Sequence, residues 1–115
     1  MLLTLLKGKL HRIRVTEACL DYEGSLTLDP DDMKAAGIVQ WEKILVADVE
    51  NGNRFETYAI AGERGSHVCC LNGAAAHKGK VGDRLIVMAF ASFSPEEAAV
   101  HQPRVLHFRD GERPS

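Results

Sequence analysis

The sequence lacks the features that mark a nucleic-acid-binding, metal-binding or membrane protein. Its formal net charge is only −2, whereas nucleic-acid-binding domains usually carry a basic excess. The cysteines, Cys19, Cys69 and Cys70, are odd in number and lack the Cys-x-x-Cys spacing of zinc and redox sites. The histidines have no metal-ligand spacing, and the apolar run at residues 1–6 is far too short to span a bilayer. We therefore expect a cytoplasmic protein with no metal, no nucleic-acid partner and no membrane association.

What the sequence does contain is enough for one small domain. With 115 residues, of which 45% are hydrophobic, the chain can form a single core of ordinary composition. No internal repeat or low-complexity segment divides it. We therefore treat residues 1–115 as one domain.

Alternating hydrophobic residues and turn signals predict a chain made mainly of short strands. Residues 1–6 are expected to form a buried strand, and Lys9–Val15 alternates so that Leu10 and Ile13 would lie on opposite faces. Asn51-Gly52 predicts a tight hairpin in which both residues take the positive φ of a type I′ turn. The pattern gives about seven strands, and their close spacing favours a small closed barrel over a layered parallel sheet.

Two short helices are predicted from their capping residues. Asp29 and Pro30 open the first helix, and Gly37 ends it. The segment 94–97, Ser-Pro-Glu-Glu, forms a capping box that opens the second. After Phe108 the chain is polar and is expected to fray.

The Gly24-Ser25 pair precedes the short apolar segment Leu26-Thr27-Leu28 and has two interpretations. In the first it is a tight turn, in which Gly24 takes a backbone angle that other residues avoid and Ser25 satisfies a nearby backbone group. In the second the pair cleaves itself, because the serine hydroxyl attacks the Gly24 carbonyl and turns the amide into an ester. Elimination of that ester followed by hydrolysis would leave a pyruvoyl group, a ketone made from the chain itself, at position 25.

Several other segments accompany this pair in a fixed order. They are Gly8-Lys9-Leu10-His11-Arg12, Tyr22-Glu23, Ala35-Ala36-Gly37-Ile38, Asn53-Arg54-Phe55, Thr57-Tyr58-Ala59-Ile60, Glu63-Arg64-Gly65-Ser66 and Asn72-Gly73-Ala74-Ala75-Ala76-His77. Each segment is weak alone, but together with Gly24-Ser25 they closely resemble the pyruvoyl-dependent aspartate 1-decarboxylase family. The resemblance runs from Lys7 to about Phe93 in the same order and spacing.

This resemblance implies a fold, an assembly and a reaction. The fold would be a double-psi β-barrel of about six or seven strands, usually assembled as a homotetramer with active sites between subunits. Self-cleavage would give a β chain of residues 1–24 and an α chain of residues 25–115 that begins with the pyruvoyl cofactor. The ketone would bind L-aspartate as a Schiff base and accept electrons as CO₂ leaves, giving β-alanine for pantothenate and coenzyme A synthesis. Some family members need a helper protein to mature.

The resemblance also implies roles for residues that contact the substrate. Arg54 would hold a substrate carboxylate, for which its planar fork of donors is suited, and Lys9 would add positive charge beside it. Tyr58 would return a proton to the substrate carbon after CO₂ leaves. The backbone N–H groups that would face the substrate belong to Gly73, Ala74 and Ala75.

Four further residues would shape the pocket and stabilise charge in it. Thr57 and Asn72 would help stabilise the oxyanion during self-cleavage and turnover. Thr57 would also contact the substrate. His11 and Tyr22 would organise the pocket. These roles, like the previous ones, rest on the resemblance and not on spacing.

Two other functions stay open on the residues alone. A non-catalytic barrel that binds a ligand or a nucleic acid would keep the Gly24–Ser25 bond intact, since fold does not settle function. A pyruvoyl enzyme for a different acidic amino acid would cleave itself but act on another substrate. The mass of the denatured chain separates the binding module from the enzyme, because only a processed chain gives two fragments.

Overall fold

A computed structural model describes residues 1–110 and 112–113, and most of their regular structure is β. The strands are Leu3–Arg14 (β1), Glu17–Cys19 (β2), Ser25–Leu28 (β3), Lys43–Asp48 (β4), Arg54–Ala61 (β5), Cys69–Asn72 (β6), Arg84–Phe93 (β7) and Arg104–His107 (β8). The helices are Pro30–Ala36 (α1), Pro95–Val100 (α2) and a 3₁₀ helix at Gly73–His77. The prediction of a mainly β fold with two short α-helices is confirmed. The sequence does not predict β2, because its three residues are all exposed and show no alternation.

The strands form one mixed sheet in the order β2-β6-β3-β5-β4-β7-β1-β8. Inside this sheet β3 pairs antiparallel with β6 and parallel with β5. The long β1 pairs antiparallel with β7 and parallel with β8. This order puts β3 and β1 in different parts of the sheet, and closure of the sheet into a barrel stays a prediction.

The hydrophobic core collects side chains from strands along the whole sheet, including β3. The largest completely buried apolar side chains are those of Leu10, Leu26, Leu28, Ile44, Leu71 and Leu85. Two of them, Leu26 and Leu28, belong to β3 itself. The Gly24–Ser25 bond therefore lies where an exposed segment enters a fully buried strand.

The predicted alternation in β1 is wrong, because the strand contains irregularities. Its register against β7 shifts between His11 and Ile13, where Arg12 has a φ of +73°. An extra residue in one strand turns the following side chains to the other face, so Leu10 and Ile13 are both buried. The expectation of a buried strand over residues 1–6 is also wrong, since the strand begins at Leu3, Met1 is 91% exposed and none of these six residues is fully buried.

The hairpin between β4 and β5 differs from the predicted two-residue turn. Gly52 has a φ of +76°, but Asn51 does not lie in the left-handed region. The loop is longer because the Asp48 carboxylate accepts a hydrogen bond from the Glu50 N–H at 2.8 Å, which bends the chain before Asn51. The Asp48 N–H then donates to the Asn53 carbonyl oxygen at 2.8 Å and closes the loop.

The predicted helix caps are confirmed. Asp29 accepts a hydrogen bond from the Asp31 N–H, and Gly37 ends α1 with a φ of +70°. Ser94 and Glu97 exchange the two hydrogen bonds of a capping box at α2. Among the described residues, no helix has the length and apolar character needed to cross a membrane.

The expectation that the C-terminal segment frays is wrong for the residues that the structure describes. Arg109 and Glu112 pair through their backbones, and the Arg113 guanidinium lies 2.6 Å from a carboxylate oxygen of the buried Asp32. An ion pair with a buried carboxylate holds this segment against α1. For residues 111, 114 and 115 the prediction lies outside the described part of the chain.

Candidate active site

Ser25 stands at the start of a buried strand between two other strands. Its side chain is completely buried, and in the antiparallel ladder with β6 it lies opposite Asn72. The parallel ladder with β5 begins one residue later, with Leu26 opposite Ala59. Continuing that register by one residue places Ser25 beside Tyr58. The sheet therefore brings Asn72 and Tyr58, two of the predicted site residues, to either side of Ser25.

Four side chains on β3 and β6 form a hydrogen-bonded group that we call the Asn72 cluster: Ser25, Thr27, Cys70 and Asn72. The Asn72 Nδ2 group donates to the Ser25 Oγ atom at 3.0 Å and to the Thr27 Oγ1 atom at 2.7 Å. The Cys70 thiol donates to Asn72 Oδ1 at 3.1 Å, and the Ser25 hydroxyl donates to the Glu23 carbonyl oxygen at 3.3 Å. The cluster is thus uncharged, and each of these polar side chains has a partner.

The thiol of Cys70 stays protonated in this position. Burial is the main cause that raises its pKa, and the nearby Glu17 and Cys19 raise it further. A protonated thiol is a weak hydrogen-bond donor, which suits the carbonyl end of the Asn72 amide. Sequence reasoning missed both Cys70 and Thr27: the Thr27 contact depends on the register between β3 and β6, and the Cys70 contact joins two side chains on the same face of β6.

The interpretation of Gly24-Ser25 as a turn that requires glycine is wrong. Gly24 does not have a positive φ, and a Cβ atom added to it would meet nothing within 4 Å. The glycine that the backbone does require is Gly73, which has a φ of +61°. A Cβ atom there would lie 2.6 Å from the Tyr22 carbonyl oxygen and 2.7 Å from the Gly24 nitrogen. Gly73 therefore lets the 3₁₀ helix lie directly against the segment that precedes Ser25.

A surface cavity of about 260 Å³ opens beside Gly24. Its lining residues are Gly24, Phe55, Glu56, Thr57, Ala74, Ala75 and Lys78. The cavity thus brings together Gly24, Thr57, Ala74 and Ala75 from the predicted set. Lys78 adds a positive charge that the sequence did not indicate, since a lysine after a run of alanines resembles ordinary loop surface.

Other predicted site residues lie elsewhere in the sheet. Lys9 and His11 belong to β1, which β5, β4 and β7 separate from β3 in the strand order. The His11 ring lies 5.5 Å from the His107 ring of β8. Burial is the first cause that lowers the pKa of His11, and Lys9 and His107 lower it further, so this imidazole favours its neutral form.

Arg54 and the two tyrosines complete the predicted set. Arg54 is exposed at the start of β5 and, among the residues that the structure describes, makes no ion pair. Tyr58 is half-buried, and its ring centroid lies 5.9 Å from that of Trp41. The Tyr22 side chain is 59% exposed, while its backbone carbonyl faces Gly73. Only part of the predicted site therefore surrounds Ser25 within one copy of the chain.

The fold and the site together define a class: a small β protein with a buried serine, held by a neutral amide, at the junction between an exposed glycine and a central strand. The model of the aspartate decarboxylase family matches residues 1–114. The chain belongs to this family, as its sequence segments predict.

Curated relatives agree with this assignment. The aspartate 1-decarboxylase of Ruminiclostridium cellulolyticum is 51% identical over 98% of this chain and 88% of its own length. That of Lactiplantibacillus plantarum is 53% identical over 98% of this chain and 87% of its own length. That of Chromohalobacter salexigens is 52% identical over 93% of this chain and 85% of its own length. The aligned lengths are long enough to include residues 24–78, which contain the Asn72 cluster and the cavity.

Proposed function

We propose that this chain is a self-processing, pyruvoyl-dependent aspartate 1-decarboxylase that converts L-aspartate to β-alanine and CO₂. The observation that carries the proposal is the buried Ser25 hydroxyl, held by Asn72 next to the exposed Gly24. The names of the curated relatives favour this enzyme over a non-catalytic binding module. The β-alanine would feed pantothenate and coenzyme A synthesis.

Self-cleavage would begin at the Gly24–Ser25 amide. The Ser25 oxygen attacks the Gly24 carbonyl carbon, the bond to the Ser25 nitrogen breaks as that nitrogen gains a proton, and an ester forms. Elimination then breaks the ester bond to the Ser25 side chain, so the β chain, residues 1–24, leaves with a carboxylate. Uptake of water and loss of ammonia leave a ketone at the start of the α chain, residues 25–115.

The neighbours of Ser25 suit this reaction. The Asn72 N–H donates to the Ser25 oxygen and would stabilise negative charge on it as the hydroxyl gives up its proton, before the bond to the Gly24 carbonyl carbon forms. Thr57 lines the cavity beside Gly24, where its hydroxyl would donate to the oxyanion at the Gly24 carbonyl. Gly73 keeps the 3₁₀ helix close to this segment, with the N–H groups of Ala74 and Ala75 at the start of that helix.

The residues around position 25 also fit the use of a ketone. A ketone at position 25 would supply an electron sink for decarboxylation, since it would bind the substrate through its amine. The β3–β5 register, continued one residue beyond the Leu26–Ala59 pair, supports a role for Tyr58, whose hydroxyl would return a proton to the substrate carbon. Arg54 is four residues earlier on the same face of that strand, and its guanidinium would hold a substrate carboxylate.

A homotetramer with active sites between subunits is part of the proposal. Lys9 and His11 lie at the other end of the strand order from Ser25. In an assembly, these side chains of one copy would supply charge and shape to the Ser25 site of another. A cytoplasmic location completes the proposal.

Replacing each serine that follows a glycine tests the proposal. The chain has two such serines, and Ser66 is the exposed one. We expect wild-type protein, purified from a host without its own aspartate decarboxylase, to give two fragments divided between residues 24 and 25 and to release β-alanine from aspartate. Ser25→Ala removes the nucleophile, so it should stay full length and inactive, whereas Ser66→Ala should behave as the wild type.

Intact mass under denaturing conditions and chromatography of β-alanine give the two readouts. A folded wild type that stays in one piece and produces no β-alanine would contradict the proposal. Cleavage of Ser25→Ala at the same bond would contradict the route through a serine ester.

A further inference from the structure

Two residues with no role in the proposed reaction hold the Asn72 side chain from opposite ends. Thr27 lies opposite Cys70 in the same antiparallel ladder that pairs Ser25 with Asn72. Side chains two apart on a strand share a face, so all four point to one side of β3 and β6. The Cys70 thiol contacts the oxygen of the amide, and the Thr27 hydroxyl contacts its nitrogen, 2.7 Å away.

These contacts decide which end of the Asn72 amide faces Ser25. A carboxamide turned by half a rotation has almost the same shape, but its oxygen and nitrogen exchange places. In the turned orientation Ser25 would face an acceptor, and the Asn72 N–H would face the sulfur of Cys70, which is a weak acceptor. The thiol therefore favours the orientation that directs an N–H to Ser25, and Thr27 fixes the plane of the amide.

The orientation matters at the moment of attack. The Ser25 oxygen accepts a hydrogen bond from the Asn72 N–H at 3.0 Å, while the Ser25 hydroxyl donates its own hydrogen bond to the Glu23 carbonyl oxygen. The same N–H stabilises the Ser25 oxygen as it gives up that proton, so that the deprotonated, nucleophilic form is easier to reach. An amide that rotates freely spends part of its time as an acceptor for the Ser25 hydroxyl, which leaves the attacking oxygen without this donor.

We infer that Cys70 and Thr27 are positioning residues for cleavage of the Gly24–Ser25 bond, acting through the amide of Asn72; this inference rests on the self-cleavage proposed above. The Ser25 side chain no longer exists after processing. The two residues therefore act on the precursor, and their effect is on the rate of cleavage.

Cys70 offers a test with a matched neighbour. Cys69 is also buried, precedes Cys70 on β6 and has no contact with the Asn72 amide. Cys69→Ala and Cys70→Ala each remove one buried thiol, so their melting temperatures should fall by similar amounts. Only Cys70→Ala should slow cleavage, by about 3- to 10-fold, which is the expected result of losing one hydrogen bond.

Conservative variants separate hydrogen bonding from packing. Cys70→Ser keeps a donor of similar size and should cleave at least as fast as the wild type, since a hydroxyl is the stronger donor. Thr27→Val keeps the shape but removes the hydroxyl and should slow cleavage by about 3- to 10-fold. Thr27→Ser restores the hydroxyl and should return the rate to near the wild-type value.

The precursors are made by synthesis in a bacterial cell extract and sampled over time by denaturing intact mass, with a thermal melt of each variant. Cleavage of Cys70→Ala at the wild-type rate would overturn the inference, as would equal slowing in Cys69→Ala. If the alanine variant fails to fold, a Cys70→Ser chain that folds but cleaves slowly overturns it equally. In all these cases the wild type still cleaves and Ser25→Ala does not, so the proposed function stands. A folded wild type that never cleaves overturns both.

Discussion

The chain contains two glycine-serine pairs whose surroundings differ. In Gly65-Ser66 the glycine has a φ of +83°, and the exposed serine hydroxyl donates to the Glu63 carbonyl oxygen at 2.6 Å. This pair is an ordinary turn, in which a glycine supplies the left-handed angle and a serine satisfies the local backbone. In Gly24-Ser25 the glycine lies outside the left-handed region, and the serine is buried against an amide from another strand.

The comparison shows that the same dipeptide is chemically different in the two places. Ser66 accepts a hydrogen bond from the Val68 N–H, two residues away, so its partners are local. Ser25 accepts one from Asn72, which is 47 residues away in the sequence. Only the long-range partner places a donor on a hydroxyl that the core shields from water, where such a donor stabilises charge most strongly.

Asn72→Asp removes the long-range donor that distinguishes Ser25 from Ser66, and it should have the largest effect on the cleavage rate. A carboxylate cannot donate to Ser25, and its charge opposes the negative charge that develops during attack. We expect cleavage at neutral pH to slow by at least about 100-fold, corresponding to a barrier increase of about 3 kcal/mol. Part of the rate should return at acidic pH, because a protonated carboxyl group can donate.

Asn53→Asp is the matched control for this change. The Asn53 amide donates to the Lys78 carbonyl oxygen in a surface loop, outside the Asn72 cluster. The same chemical substitution there should leave the cleavage rate near that of the wild type. Wild-type cleavage in Asn72→Asp at neutral pH, measured by intact mass over time, would show that Ser25 needs no donor.

How far the sequence predicts these features depends on the range of the interactions. The caps at Asp29 and Ser94 were predictable because each satisfies backbone groups within three residues. The bulge at Arg12 was not, since it depends on the register between β1 and β7. Local signals also favoured the wrong turn at Asn51, where the side chain of Asp48 changes the course of the loop.

The candidate site divides in the same way. The residue types at Ser25, Thr57, Tyr58 and Asn72 were identified by family resemblance, and the register of β3 against β6 then explains why Asn72 contacts Ser25. The contacts of Thr27 and Cys70 could not be read from the sequence. Thr27 contacts Asn72 on the facing strand, and Cys70 contacts the same amide from two residues earlier on β6. The requirement for glycine at position 73 arises from the backbone of residues 22–24, which no local pattern encodes.

Substitution should destabilise the chain more at Gly65 than at Gly24. Gly65→Ala forces a left-handed angle on alanine and should lower the free energy of unfolding by about 1 kcal/mol. Gly24→Ala meets open space and should change stability by less than about 0.5 kcal/mol. The added methyl group crowds only the approach to the neighbouring carbonyl, so cleavage should slow by less than about tenfold.

Denaturant unfolding in a Ser25→Ala background measures both stabilities on an uncut chain. Cleavage is measured separately, with Ser25 intact. A Gly24→Ala variant that is less stable than Gly65→Ala would show that Gly24 carries backbone strain after all.

The smallest effect on cleavage is expected from Asp48→Asn. This substitution lies outside both glycine-serine pairs and should change only the stability of the fold. Asp48 is buried, and its pKa is raised to about 6, first by burial and then by a hydrogen bond to Asp83. The folded chain therefore holds this proton more tightly than the unfolded chain does. Stability should fall as the pH rises from about 4 to about 6 and stay level above that range.

An asparagine at position 48 can donate to Asp83 at every pH, as the protonated aspartic acid does. Asp48→Asn should therefore remove this fall and, above about pH 6, raise the free energy of unfolding by about 3 kcal/mol. Unfolding is again measured in the Ser25→Ala background over that pH range. If the immediate neighbours of Ser25 alone govern its reactivity, the same substitution in the cleavable chain will leave the cleavage rate unchanged. A cleavage rate that follows the gain in stability would instead mean that the rigidity of the whole fold, and not the Asn72 cluster, distinguishes one glycine-serine pair from the other.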